Sequence, residues 1–228
     1  PVSVTLGLQL GLDAKEKRRE LVVEARLQEG PIYELRIYKA NQDRFEHLIT
    51  RFREYTDRIF ARHNMEALGY WAPTDGTTRQ KRRVVYVLKH PSRYAAYANW
   101  THFTNDREWQ KVLDMPTFRG LLAEKPTSIF MTETEYSDSF VTSNDKADSV
   151  FELRFYKCNE GKLDALNARF RDSVISLYEK HKLADVGYWT PFVPPENQNT
   201  LIYMLQHESR EQAAANWKAL LNDPKWKP

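Results

Sequence analysis

One stretch of this chain is written twice, and any fold it adopts must suit both copies. Residues 33–109 return with altered spelling as residues 151–226. The first copy opens YELRIYKAN and the second FELRFYKCN, so Glu34, Leu35, Arg36, Tyr38, Lys39 and Asn41 reappear as Glu152, Leu153, Arg154, Tyr156, Lys157 and Asn159. Phe52-Arg53, His63, Gly69-Tyr70-Trp71 and Pro73 recur 118 residues later as Phe170-Arg171, His181, Gly187-Tyr188-Trp189 and Pro191. After one deletion, Tyr86, His90, Ser92-Arg93, Asn99-Trp100, Asp106 and Trp109 recur as Tyr203, His207, Ser209-Arg210, Asn216-Trp217, Asp223 and Trp226. A period this long describes a duplicated small domain, because solenoid repeats run to about 20–50 residues.

Each copy has a readable order of elements. Residues 33–38 alternate Tyr33, Leu35, Ile37 with Glu34, Arg36, Tyr38, the period of a strand. Over residues 43–63, Phe45, Leu48, Ile49, Phe52, Ile59 and Phe60 follow helical spacing, and Leu163, Leu166, Phe170, Val174, Leu177 and Tyr178 repeat the stripe. A short strand over 68–72, a turn at Pro73 and Gly76, and a strand over 84–88 follow, matched by strands over 186–190 and 201–205. A second helix starts at Ser92 or Ser209, both suitable N-caps, with Ser209–Gln212 spaced as a capping box. In the first copy a helical stretch over 115–125 leads to a strand over 128–135, and residues 137–149 read as a polar linker.

Strand, helix, strand, strand, helix, strand is the split βαβ order of a ferredoxin-like domain. The expected fold class is α+β, with two ferredoxin-like repeats forming a dimeric α/β-barrel arrangement, either within one chain or across a homodimer. The domains are a leader over 1–30, a first domain over 31–136, the linker, and a second domain over 150–228 without a counterpart to its last strand. Residues 1–12 are one segment that could fill that edge.

The runs IYELRIY, ARHNMEALGYW, VVYVLKHPSR and NDREW, echoed by VFELRFY, EKHKLADVGYW, LIYMLQHESR and NDPKW, resemble the NIPSNAP family over most of residues 31–226. The resemblance implies a dimeric α/β-barrel fold related in architecture to cofactor-free monooxygenases and haem-using barrels, and it implies little about chemistry. The wording is closest to bacterial members, which implies a cytoplasmic location; export or mitochondrial targeting also fits a processed N-terminus.

Composition removes several function classes. The net charge of +3 comes from 34 basic and 31 acidic residues with the signs interspersed, so no nucleic-acid footprint stands out, and the run Arg79-Gln-Lys-Arg-Arg83 reads as a solvated loop. No apolar stretch approaches the roughly 18 residues of a membrane span. A lone Cys158, with Ala40 at the matching position, reads as a small packed residue. His63 and His181 suit capping of helix-terminal carbonyls, and His90 and His207 follow the third strand. No His-Glu-x-x-His, Cys cluster, Gly-x-Ser-x-Gly or glycine-rich phosphate loop occurs, so no metal and no cofactor is expected.

With Leu35 and Ile37 assigned to the helices, Glu34, Arg36 and Tyr38 are expected inside the barrel together with Glu152, Arg154 and Tyr156, walled by Tyr70, Trp71, Tyr86, Tyr188, Trp189 and Tyr203. These residues define a candidate ligand pocket, with the four histidines as secondary candidates. The competing structural reading is an internal Glu–Arg ion pair. The expected role is non-catalytic binding of a small aromatic or anionic ligand or of a protein partner, in a homo-oligomer. The alternative is a cofactor-independent enzyme, monooxygenase- or isomerase-like, in which Arg36 or Arg154 holds an enolate or carboxylate and a tyrosine or histidine moves the proton.

Overall fold

The computed structural model describes residues 30–73, 82–138, 140, 149–193, 197 and 199–226. The leader up to residue 29, residues 1–12 as an edge filler, most of the basic run and most of the linker lie outside the described residues.

The first half runs β1 (Ile32–Lys39), α1 (Phe45–Arg51), a π-helical turn (Phe52–Thr56), α2 (Asp57–Arg62), β2 (Glu66–Trp71), β3 (Arg83–His90), α3 (Arg93–Thr104), α4 (Arg107–Asp114) and β4 (Thr127–Glu133). The second runs β5 (Val150–Lys157), α5 (Leu163–Arg169), a π-helical turn (Phe170–Val174), α6 (Ile175–Lys180), β6 (Ala184–Pro191), β7 (Thr200–His207) and α7 (Arg210–Leu221). The π turn sits at the same place in both halves, although Thr56 in one is Val174 in the other, so no side-chain hydroxyl is required for it. The helix expected over 115–125 is reduced to one 3-10 turn at Pro116–Phe118. The chain beyond it is drawn along the end of β1 instead, with Asn41 N–H donating to Leu121 O at 2.8 Å and Ala123 N–H to Lys39 O at 2.9 Å.

The seven strands of the described residues form one sheet in the order β2-β3-β1-β4-β6-β7-β5. β4 joins the halves, pairing antiparallel with β1 on one side and with β6 on the other, from Met131↔Pro191 to Glu133↔Trp189. The twisted sheet curls until its two edges approach, where Trp71 of β2 meets Phe151 of β5 with ring centroids 5.5 Å apart. The arrangement is an α+β barrel of two ferredoxin-like units.

The strand alternation is as expected but its faces are exchanged. Tyr33, Leu35 and Ile37 point to the barrel interior with Val87, Met131, Trp189, Ile202 and Met204. Tyr38 instead packs under the helices with Phe52, Phe60, Tyr86 and Phe103, and Glu34 and Arg36 share its face. The physical reason lies in the helices: the indole N–H of Trp100 on α3 can satisfy a buried carboxylate, whereas the interior is built almost wholly from apolar side chains.

Two glycines fit the tryptophans into that interior. A Cβ on Gly69 would stand 2.7 Å from the Trp71 ring, and one on Gly187 2.5 Å from the Trp189 ring. Each ring folds back over the glycine two residues earlier on the same face, beside a bulge in the pairing. Trp189 is fully buried and cannot yield, whereas Trp71 is only half-buried. Gly187→Ala is therefore expected to cost about 2–3 kcal/mol in urea unfolding, and Gly69→Ala clearly less; equal losses would contradict this packing.

Candidate functional site

Glu34 is a buried carboxylate met by four side chains. Its side chain is 1% exposed. The carboxylate accepts from Arg36 Nη1 at 2.9 Å, Trp100 Nε1 at 2.6 Å and Ser128 Oγ at 2.6 Å, with His90 Nε2 at 3.3 Å. These donors come from β1, α3, β4 and β3, so one carboxylate ties a helix to three adjacent strands. Burial pushes the Glu34 pKa up, but the bonds from His90, Ser128 and Trp100 and the Arg36 charge outweigh it and hold the carboxyl below its ordinary 4.5. Arg36 lies over the Trp100 ring at 4.6 Å and donates to Tyr38 Oη at 3.2 Å.

The second half repeats the cluster. Glu152 accepts from Arg154 Nη1 at 2.8 Å and Trp217 Nε1 at 2.8 Å, with His207 Nε2 at 3.1 Å, and Arg154 lies 4.3 Å over Trp217. What is missing among the described residues is the hydroxyl that Ser128 supplies in the first half, and Glu152 is 34% exposed. Its carboxyl is still held below 4.5, because the bonds from His207 and Trp217 and the Arg154 charge outweigh the desolvation that raises it.

Other repeated pairs diverge at the same place. Tyr70 is 37% exposed and Tyr188 fully buried; Phe155 is 44% exposed, whereas its counterpart Ile37 is half-buried. Glu152 and Phe155 lie on β5 and Tyr70 on β2, the two edges of the sheet. Between these edges opens a cleft of about 340 Å³, lined among others by Trp71, Pro73, Phe151, Glu152, His207 and Trp217.

The expected pocket is thus divided. Trp71 and Trp189 face the interior, while Tyr70, Tyr86, Tyr188 and Tyr203 lie with the Glu–Arg–Tyr triplets on the helix side. The histidines also differ from expectation. His63 and His181 sit at the helix C-caps, but their side chains do not serve the carbonyls there; their Nε2 atoms meet the carboxylates of Asp106 at 2.8 Å and Asp223 at 2.7 Å. Burial pushes Asp106 up, but backbone bonds from Trp109 and Glu108, His63 and Arg62 bring it down to about 2. Among the described residues no group of three or more His, Cys, Asp or Glu could hold a metal. Ser209 caps α7 by accepting from Gln212 N–H, but the Gln212 side chain turns to Asn216, so only half of the capping box forms.

The residues missed by sequence reasoning are Ser128, Trp100 and Trp217. The tryptophans were legible as repeated but not as donors to Glu34 and Glu152. Their neighbours Asn99 and Asn216 have a parallel task, donating to the carbonyls of Asn64 and Lys182, which hold left-handed φ of 54° and 56° after the first helices.

Glu34→Gln would turn an amide N–H₂ toward donors in a buried site and is expected to cost about 3–5 kcal/mol. Glu152→Gln, partly screened by solvent, is expected to cost about 1–2 kcal/mol. Because both folded pKa values are depressed, this stabilisation is complete above the unfolded value of 4.5 and is lost as pH falls through the folded values. Urea titrations at pH 7 and pH 3 check this: the wild type should lose stability toward pH 3, and the glutamine variants should lose less of it.

The halves also differ at one buried hydroxyl. Tyr203 Oη meets Tyr178 Oη at 3.0 Å, whereas Phe60 replaces Tyr178 in the first half, so the buried Tyr86 hydroxyl lacks that partner. Phe60→Tyr is expected to raise stability by about 1 kcal/mol, measured in the same titration.

A model of the NIPSNAP family matches residues 33–138 and 151–228. No curated protein matches the chain. An uncharacterized NIPSNAP domain protein from Burkholderia xenovorans is similar over 46% of this chain and 96% of its own, with 17% identity and a TM-score of 0.40. A candidate monooxygenase from Lactobacillus acidophilus aligns over 86% of this chain and 84% of its own, with 10% identity and a TM-score of 0.54. An anthrone oxidase-like protein aligns over 88% and 81%, with 12% identity and a TM-score of 0.52. These last two share the fold. Since the family model covers most of both halves, the chain belongs to the NIPSNAP family.

Proposed function

We propose that this chain is a non-catalytic binding protein whose guest enters the cleft between β2 and β5. The observation that carries this reading is the unequal burial of Glu34 and Glu152, two residues with the same partners except for one hydroxyl. A site that is saturated in one half and one donor short in the other is suited to an incoming group. The wall formed by Trp71 and Phe151 supplies apolar surface beside it. Because β4 and β6 join the halves within one chain, the reading needs no homo-oligomer.

The geometry gives less support to acid–base chemistry. Arg36, Arg154, Tyr38 and Tyr156 lie under the helices, and both arginines are already bonded to carboxylates. The enzyme alternative rests on likeness of fold to proteins of other sequence, and fold does not carry function. Among the described residues no helix is long and apolar enough to cross a membrane.

Titration with the apolar dye 8-anilinonaphthalene-1-sulfonate tests the reading. The wild type should enhance its fluorescence saturably, and Trp71→Ala or Phe151→Ala should weaken the response at least fivefold without altering the far-ultraviolet spectrum. An unchanged response in both variants would remove the cleft as the binding site.

A further inference from the structure

β1 lies between β3 and β4, whereas β5 has β7 on one side and, among the described residues, no strand on the other. Resting on the binding reading above, we propose that the cleft is a receptor for an eighth strand. This is an extended segment of a partner polypeptide that runs antiparallel to β5, reaches β2, and closes the curled sheet.

The occupied half specifies the chemistry of that segment. On β4, Ser128 donates to Glu34 at 2.6 Å, and Phe130 lies 3.6 Å from the guanidinium of Arg93. Ile129 and Met131 enter the interior cluster beside Tyr33 and Leu35, and beyond the strand Tyr136 packs on Tyr188 with centroids 5.5 Å apart. The matching positions are Glu152, Arg210 and the Trp71–Phe151 wall at the cleft, and Tyr70, next to Trp71 on β2. The partner therefore carries a hydroxyl, an apolar, an aromatic and an apolar residue in succession, with a tyrosine six positions after the aromatic. An acid at the position of Glu133 is not required, because Phe151 replaces Tyr33, whose hydroxyl donates to Glu133 at 3.0 Å.

Among the described residues a second copy of this chain offers no such segment on an open edge. Its β4 is paired on both sides, its β5 presents Glu152 and Arg154 where a hydroxyl and an aromatic are needed, and its β2 carries no Ser or Thr.

The test uses the full chain and a synthetic peptide with the sequence of residues 126–137, PTSIFMTETEYS, as the probe. Calorimetry should show one saturable site, and hydrogen exchange should slow at the amides of residues 150–157 on binding. Peptides with Ala at the serine or the phenylalanine equivalent to Ser128 or Phe130 should bind at least tenfold more weakly, and Glu152→Gln should abolish the preference for the serine. No binding, or equal binding of a scrambled peptide, would overturn the proposal. So would protection, before peptide is added, of those amides of residues 150–157 that point away from β7: in a monomer it would show that the chain's own residues fill the cleft, and if it rose with protein concentration, that a second copy does. If the peptide fails while the dye response still depends on Trp71, the strand proposal falls and the binding reading stands; if both fail, both fall.

Discussion

A carboxylate placed under a layer of helices is costly unless every lone pair that faces the protein finds a donor, and this requirement organises both halves of the molecule. Glu34 is buried because four side chains on four different elements converge on it. The convergence fixes which face of β1 turns to the helices and the seating of α3. It also sets the depth of Trp100, whose ring in turn carries the Arg36 guanidinium. The repeated Glu, Arg, His and Trp are one unit of physical chemistry distributed along the sequence. A network of this kind rigidifies when complete and exposes its weakest member when one donor is absent.

The second half is that experiment carried out within one chain. It keeps the arginine, histidine and tryptophan and, among the described residues, has no counterpart of Ser128, and Glu152 is then partly open to water. The same break is felt on the opposite edge, where Tyr70 lacks the ring that Tyr136 lays against Tyr188. Differences that look scattered in the alignment of the two copies gather in space along one gap. The likeness of the two halves thus supplies an internal control: positions alike in both and equally buried belong to the fold, and positions alike in sequence but unlike in burial mark where the halves have different neighbours.

Much of the architecture was legible. Period-two runs such as Tyr33–Leu35–Ile37 and the stripe Leu48–Phe52–Ile59–Phe60 appear as strands and helices, because burial of one face is what such periods encode. The direction of the faces was not legible, since alternation states that two sides differ without saying what covers each. Glu34 and Arg36 read as pocket residues because charge beside apolar residues suggests a ligand. The partners of Glu34, Trp100 and Ser128, lie 66 and 94 residues away, and only the folded sheet brings them together. His63 shows the same limit, as its partner Asp106 is named by proximity and not by spacing.

The central claim is that Glu34 and Glu152 are structural acceptors and not reactive acids. Its most direct test is a site-resolved ¹³C NMR titration of the glutamate side-chain carboxyls, assigned through the Glu34→Gln and Glu152→Gln variants. The account predicts that both carboxyls take up their proton below 4.5. A carboxyl titrating near neutrality, as a buried acid short of donors or poised to transfer a proton would, contradicts it.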